Sequence, residues 1–160
     1  MFKASLDNLA KYLPFVLVGF VLLIFITIGV TIENGSIFVA LLPALPICII
    51  TIGAYYYSPL YYEVEMDSIA IVRKAGKFFI ARKDIKGMSA ISEAELGRAW
   101  RMMGNGGVFG YTGYYSSSNI GKMRWFVSQR KNYVLITMKN DSKFLLSPDD
   151  VAGFLAATQS

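Results

Sequence analysis

What could do chemistry in this chain is sparse, and what is missing decides more than what is present. There is no histidine, so the commonest general base and metal ligand is absent and no serine has an imidazole to activate it. The single cysteine, Cys48, sits in an apolar run with no second thiol to pair with or to share a metal. Glu63, Glu65 and Asp67 alternate along the chain and could meet a cation. A row of carboxylates on the solvated side of a strand explains the same spacing. The chain is therefore read as non-enzymatic, with no cofactor and no metal.

Two segments remain that could bind. From Gly104 to Ser118, five glycines interleave with aromatic residues. A dinucleotide fingerprint needs Gly-x-Gly-x-x-Gly, and counting from Gly104 its sixth position is Phe109; a phosphate loop needs Gly-Lys followed by Ser or Thr, and Gly121-Lys122 is followed by Met123. The segment is read instead as one where backbones approach closely and rings cover them, and Tyr111, Tyr114 and Tyr115 are its candidate exposed, partner-binding face. The other segment is basic. Arg73, Lys74 and Lys77 lie in one turn, with Arg82, Lys83 and Lys86 close behind, and together they are candidates for an anionic lipid. Residues 62–160 carry 14 Lys/Arg against 9 Asp/Glu, a net +5. Basic residues near an anionic leaflet gain about 1 kcal/mol each, although topology alone also selects positive residues at a membrane face. The basic pI of 9.3 is explained by that flank, so nucleic acid is not expected as a partner.

The elements that position these segments follow from the charge distribution. Hydrophobic residues make up 54% of the 160, and the mean hydropathy is +0.45. No charge occurs between Lys11 and Glu33, nor between Glu33 and Glu63. Roughly 20 apolar residues match a ~30 Å hydrocarbon core. This predicts two transmembrane helices over about 12–32 and 37–57, joined by the turn Glu33-Asn34-Gly35-Ser36 and hence antiparallel, in a hairpin domain of residues 1–60. Pro43 and Pro46 are expected to kink the second helix. Lys3, Lys11 and the basic residues from Arg73 to Lys86 outweigh Glu33, so both termini are expected in the cytoplasm of a multi-pass protein of the inner (plasma) membrane. Tyr55, Tyr56, Tyr57, Tyr61 and Tyr62 read as an aromatic belt where the second helix meets water. Two helices without internal charge are too few for a transport path.

Residues 61–160 form the second domain. Short alternating runs predict strands at Tyr62–Met66, Ile69–Val72, Phe78–Ala81, Ile85–Ile91, Lys122–Gln129, Tyr133–Met138 and Lys143–Leu146, with antiparallel pairing. Ser92 to Met103 fits either a short helix, capped by Ser92 and Glu95, or an irregular excursion. Ser147-Pro148-Asp149-Asp150 opens a C-terminal helix, with Ser147 as its cap. The segments 110–116, 121–128, 134–136 and above all Leu146-Ser147-Pro148-Asp149-Asp150 followed by Phe154 resemble the bacterial pleckstrin-homology (PH-like) domain family, whose members often carry transmembrane helices ahead of the domain. The resemblance covers about Tyr61 to Ala157. It implies a partly open antiparallel β-barrel of about seven strands with a C-terminal α-helix, and no catalytic residues or shared ligand. The expected function is thus a membrane-anchored binding module presenting a surface to a protein partner or to a second copy of itself, with anionic-lipid headgroup recognition as the alternative.

Overall fold

The computed structural model describes residues 1–31 and 37–159. After a two-residue strand at Phe2–Lys3 come two apolar helices. Helix α1 (Asn8–Thr31) begins at Asp7, whose Oδ1 accepts the Ala10 N–H at 2.8 Å and so caps an otherwise unpaired donor. Helix α2 (Ile37–Tyr57) packs against α1. The turn Glu33–Ser36 lies outside the described residues. Among them, one stretch, Asn8–Thr27, is long and apolar enough to cross a membrane, while the corresponding stretch of α2, Leu45–Tyr57, is shorter.

Two sheets follow. β1 (Phe2–Lys3), β2 (Pro59–Val64), β3 (Ser68–Arg73) and β4 (Gly76–Ala81) form an antiparallel sheet in that order. The second has the order β5-β9-β10-β8-β7-β6, from β5 (Ile85–Ile91), β6 (Ala99–Gly106), β7 (Tyr111–Ser117), β8 (Gly121–Val127), β9 (Tyr133–Met138) and β10 (Lys143–Leu146). A short helix α3 (Glu93–Leu96) precedes β6, and α4 (Val151–Gln159) ends the chain against β2 and β5. This is the PH-like, partly open arrangement, with ten strands among the described residues. β10 runs parallel to β8, so the sheet is mixed and not purely antiparallel as expected.

The second sheet is apolar on both faces. Phe126, Val134, Ile136 and Leu146 meet Tyr62, Ile69, Ile71 and Ile80 of the first sheet, and Phe154 of α4 closes that core. On the opposite face Tyr111, Tyr115, Met123, Trp125, Tyr133 and Leu145 are covered by Leu96 and by Ala10 of α1. Adjacent residues such as Trp125 and Phe126 enter different cores because strand side chains alternate. The N-terminal residues take part too: Phe2 packs edge-on against Phe154 at 5.3 Å, and Ala4 is buried.

Several local expectations change. Tyr62 belongs to the core and not to the aromatic belt. Its hydroxyl donates to Phe126 O at 2.7 Å and accepts the Ser147 N–H at 3.2 Å. Ser147 does not cap α4, because its Oγ accepts the N–H groups of Ser128 and Gln129. The cap is Asp150, which takes the Gly153 N–H at 2.9 Å. The ambiguous stretch contains both a helix and a strand: Ser92 and Glu95 form the capping box of α3, and β6 begins at Ala99.

The glycine-rich segment is the β6–β7 hairpin. Gly104 stands opposite Gly113, with φ of +122° and +127°. A Cβ on either would come 2.8 Å from the other's Cα and would strike the facing backbone oxygen. Both the conformation and the approach therefore require glycine. We expect Gly113→Ala to destabilise the fold by about 1–3 kcal/mol, read as a lowered thermal midpoint of the full chain in detergent; an unchanged midpoint would contradict this pairing.

Candidate anion-binding site at the helix–barrel junction

Three hydrogen-bonding arrangements lock the helices to the barrel. Pro14 has no N–H, so the Ala10 carbonyl four residues earlier lacks its helical donor. The Phe109 N–H from the β6–β7 turn supplies one at 3.1 Å. Phe109 takes φ +57°, its carbonyl accepts the Ser58 hydroxyl, and its ring meets Tyr55 edge-on at 5.2 Å. At the end of α2, the Tyr56 carbonyl accepts the Ala75 N–H at 2.9 Å. The basic β3–β4 turn thereby sits at the negative end of that helix. Asp7 ties the start of α1 to the second sheet through Tyr111 Oη at 3.0 Å and the Arg130 N–H at 3.2 Å.

Between α2 and the barrel lies a cleft of about 380 Å³. Ile50, Gly53, Ala54 and Tyr57 of α2 form one wall, and Gly104, Gly113, Tyr114 and Phe126 form the other. Arg73 from the end of β3 and Arg124 from β8 also line it. Both are half-buried, and both guanidiniums lie over the same two rings: Arg73 is 6.0 Å from the centroid of Phe78 and 5.8 Å from that of Phe126, and Arg124 is 4.6 and 5.0 Å from them. Arg73 also lies over Tyr57 at 5.4 Å and Arg124 over Tyr114 at 5.6 Å. Such contacts give a cation modest support. Among the described residues no carboxylate pairs with either arginine. Burial, and then the nearby Arg124 charge, pull Arg73 below the ordinary arginine value. Two half-buried like charges with no counter-charge favour an anion.

The six basic residues singled out in the sequence divide. Arg73 enters the cleft, and Lys74 lies beside it at the helix end, its Nζ 3.2 Å from the Tyr55 ring centroid. Lys77 is neutralised by Glu63 at 2.6 Å and Glu65 at 3.8 Å, and Lys86 pairs with Asp141 at 3.2 Å. Arg82 donates to the carbonyls of Glu65, Met66 and Thr158, which fastens the end of α4. Lys83 is exposed. Arg124 was missed, although the alternation of Lys122, Arg124 and Phe126 puts it on one face of β8. Of the three candidate partner-binding tyrosines only Tyr114 is exposed; Tyr111 and Tyr115 are buried at 1% and 5% exposure, because they point into the second core, where Tyr115 stacks on Trp125 at 4.1 Å. The row Glu63, Glu65 and Asp67 is occupied in part by Lys77, and among the described residues no cluster of three or more potential metal ligands occurs.

The model of the bacterial PH domain matches residues 60–160. The chain belongs to the bacterial PH domain family. No curated protein and no solved structure matches it. PH domains are generally non-catalytic binding modules, and here the domain is preceded by a long apolar helix. That combination points to a membrane-associated binding module. The PH domain's residues 60–160 are completed by Phe2, Ala4 and Asp7, which lie before the matched region.

Burial pushes the hydroxyls of Tyr62, Tyr111, Tyr115 and Tyr133 up to about 12. The folded state then holds protons that the unfolded chain releases near pH 10, so stability is full below pH 10 and falls as pH rises towards 12. Thermal midpoints of the full chain in detergent should be flat between pH 8 and 9.5 and fall steeply above pH 10; a flat profile through pH 12 would refute the burial of these hydroxyls.

Proposed function

We propose that this chain is a non-enzymatic, membrane-anchored PH-like module that binds an anionic lipid headgroup through Arg73 and Arg124, with Lys74 beside them. The observation that carries this reading is the convergence of two half-buried guanidiniums on the same pair of rings without a carboxylate. The cleft opens beside the last two turns of α2, where an anchored domain meets a lipid surface. In this reading α2 is a second span, the hairpin of residues 1–60 is the anchor, and both termini lie in the cytoplasm, as the flanking Lys/Arg residues favour. The test uses the full chain purified in a mild detergent, with co-purified lipids extracted and quantified. Acidic lipids should be enriched several-fold over their share in the source membrane, and the double variant Arg73→Gln/Arg124→Gln should remove the enrichment. The same enrichment in that variant would refute the reading.

A protein or self-interaction surface is the second reading, supported by β6, which among the described residues is an edge strand. This strand pairs with β7 on one side, and Trp100, Met102, Met103 and the neighbouring Tyr114 are 52%, 52%, 71% and 53% exposed. Exposed apolar edge strands are templates for adding another strand. Cross-linking of the full chain in its own membrane should then capture an adduct that the double variant Trp100→Ser/Tyr114→Ala loses; equal adducts from both proteins would argue against this surface.

A further inference from the structure

We infer that the cleft takes a whole acidic amphiphile and not a headgroup alone, with its phosphate or carboxylate between Arg73 and Arg124 and an acyl chain along the Gly53 face of α2. This rests on the anionic-lipid reading above. Three features of the cleft support it.

Its polarity is graded along the helix. Tyr57 and the two arginines mark one end, and Ile50 lies seven residues away, about 10 Å further up α2 at ~1.5 Å per residue. Arg73 rests on the Tyr57 ring, so the charged end is the end where α2 leaves its apolar run. A lipid in the adjoining leaflet has the same polarity in the same direction: acid outward, chain inward.

Size also favours an amphiphile. A volume of about 380 Å³ falls in the range of sites for drug-sized ligands, ~300–1,000 Å³, and the wall facing the arginines is largely apolar. Asn105, Thr112 and the two tyrosines Tyr57 and Tyr114 are the other side chains with polar atoms at the lining, and among the described residues no carboxylate lines it to repel an acid.

Gly53 is the third feature. A glycine inside a helix costs about 1 kcal/mol relative to alanine, and in membrane helices it is usually explained by a neighbour packed close against it. Beyond its chain neighbours and its own helix backbone, no atom of the described residues lies within 4 Å of where a Cβ on Gly53 would stand. Gly19 of α1 is equally open, but Gly53 is the one that lines this cleft. On the barrel side Gly104 and Gly113 also line the cavity, although their own Cβ positions would face each other's backbone and not the groove.

Gly53→Leu therefore puts a side chain into the chain's path from a Cβ position that no other element crowds. The full chain in nonionic detergent would be stripped of lipid and titrated, by native mass spectrometry, with phosphatidic acid, with phosphatidylcholine of the same chains, and with glycerol 3-phosphate. The wild type should retain phosphatidic acid at least tenfold better than phosphatidylcholine and hold glycerol 3-phosphate weakly. Gly53→Leu should lower phosphatidic acid retention tenfold or more, with the thermal midpoint unchanged or raised. Gly53→Ala, a smaller block in case leucine disturbs the helix pair, should lower it two- to threefold. Retention by both Gly53 variants equal to wild type, together with loss in Arg73→Gln/Arg124→Gln, would overturn the acyl groove while leaving a headgroup site standing. Glycerol 3-phosphate bound as tightly as the lipid would do the same. Equal retention of the two lipids by the wild type would overturn both readings.

Discussion

Backbone polar groups left unpaired away from water are costly, and at the foot of this apolar helix pair the barrel satisfies two of them. Pro14 removes the donor that the Ala10 carbonyl needs, and Phe109 from the β6–β7 turn replaces it. The end of α2 exposes carbonyls that no later helical residue can serve, and Ala75 from the β3–β4 turn serves one of them. Each helix is thus capped by a different sheet. An unpaired amide in this setting costs more than an ordinary hydrogen bond contributes, so both turns are held against the helices. The Phe109 carbonyl also accepts the Ser58 hydroxyl just past α2, so the β6–β7 turn meets the start of α1 and the end of α2.

The cleft inherits its chemistry from the same arrangement. Arg73 is carried to the helix end because its hairpin caps α2. Arg124 reaches the same place from β8, whose strand face passes beneath. Other basic groups are spent on structure: Lys77 on Glu63, Lys86 on Asp141, and Arg82 on the end of α4. What distinguishes Arg73 and Arg124 is therefore not their charge but their lack of a carboxylate, in a setting where rings replace part of the water around them. Gly104 and Gly113 contribute by what they omit, since side chains at either position would close the backbones' approach.

The N-terminal residues show how closely the helices and the barrel are joined. Phe2 and Ala4 enter the core between the sheets, and Asp7 both caps α1 and bonds Tyr111 and the backbone of Arg130. These contacts fasten the start of α1 to the second sheet and its flanking turn.

The apolar helices, the run of short strands and the C-terminal helix were legible in the amino-acid order, because they depend on local periodicity and on charge spacing, and the family resemblance rested on motifs such as Leu146–Asp150 followed by Phe154. The sequence also pointed to the close backbone approach in the glycine-rich segment. It could not tell Tyr114 from Tyr111 and Tyr115, since which strand face is buried depends on what packs on each side, and here both faces of the second sheet are covered. It could not separate Arg73 from Lys77, because that depends on Glu63 standing across the sheet. Arg124 stayed hidden for the same reason: it lies 51 positions after Arg73, and only the pairing of β8 with its neighbours and the docking of α2 bring the two guanidiniums onto the same rings. Short-range pattern determines elements, whereas a site built from several elements exists only once their packing has set the distances.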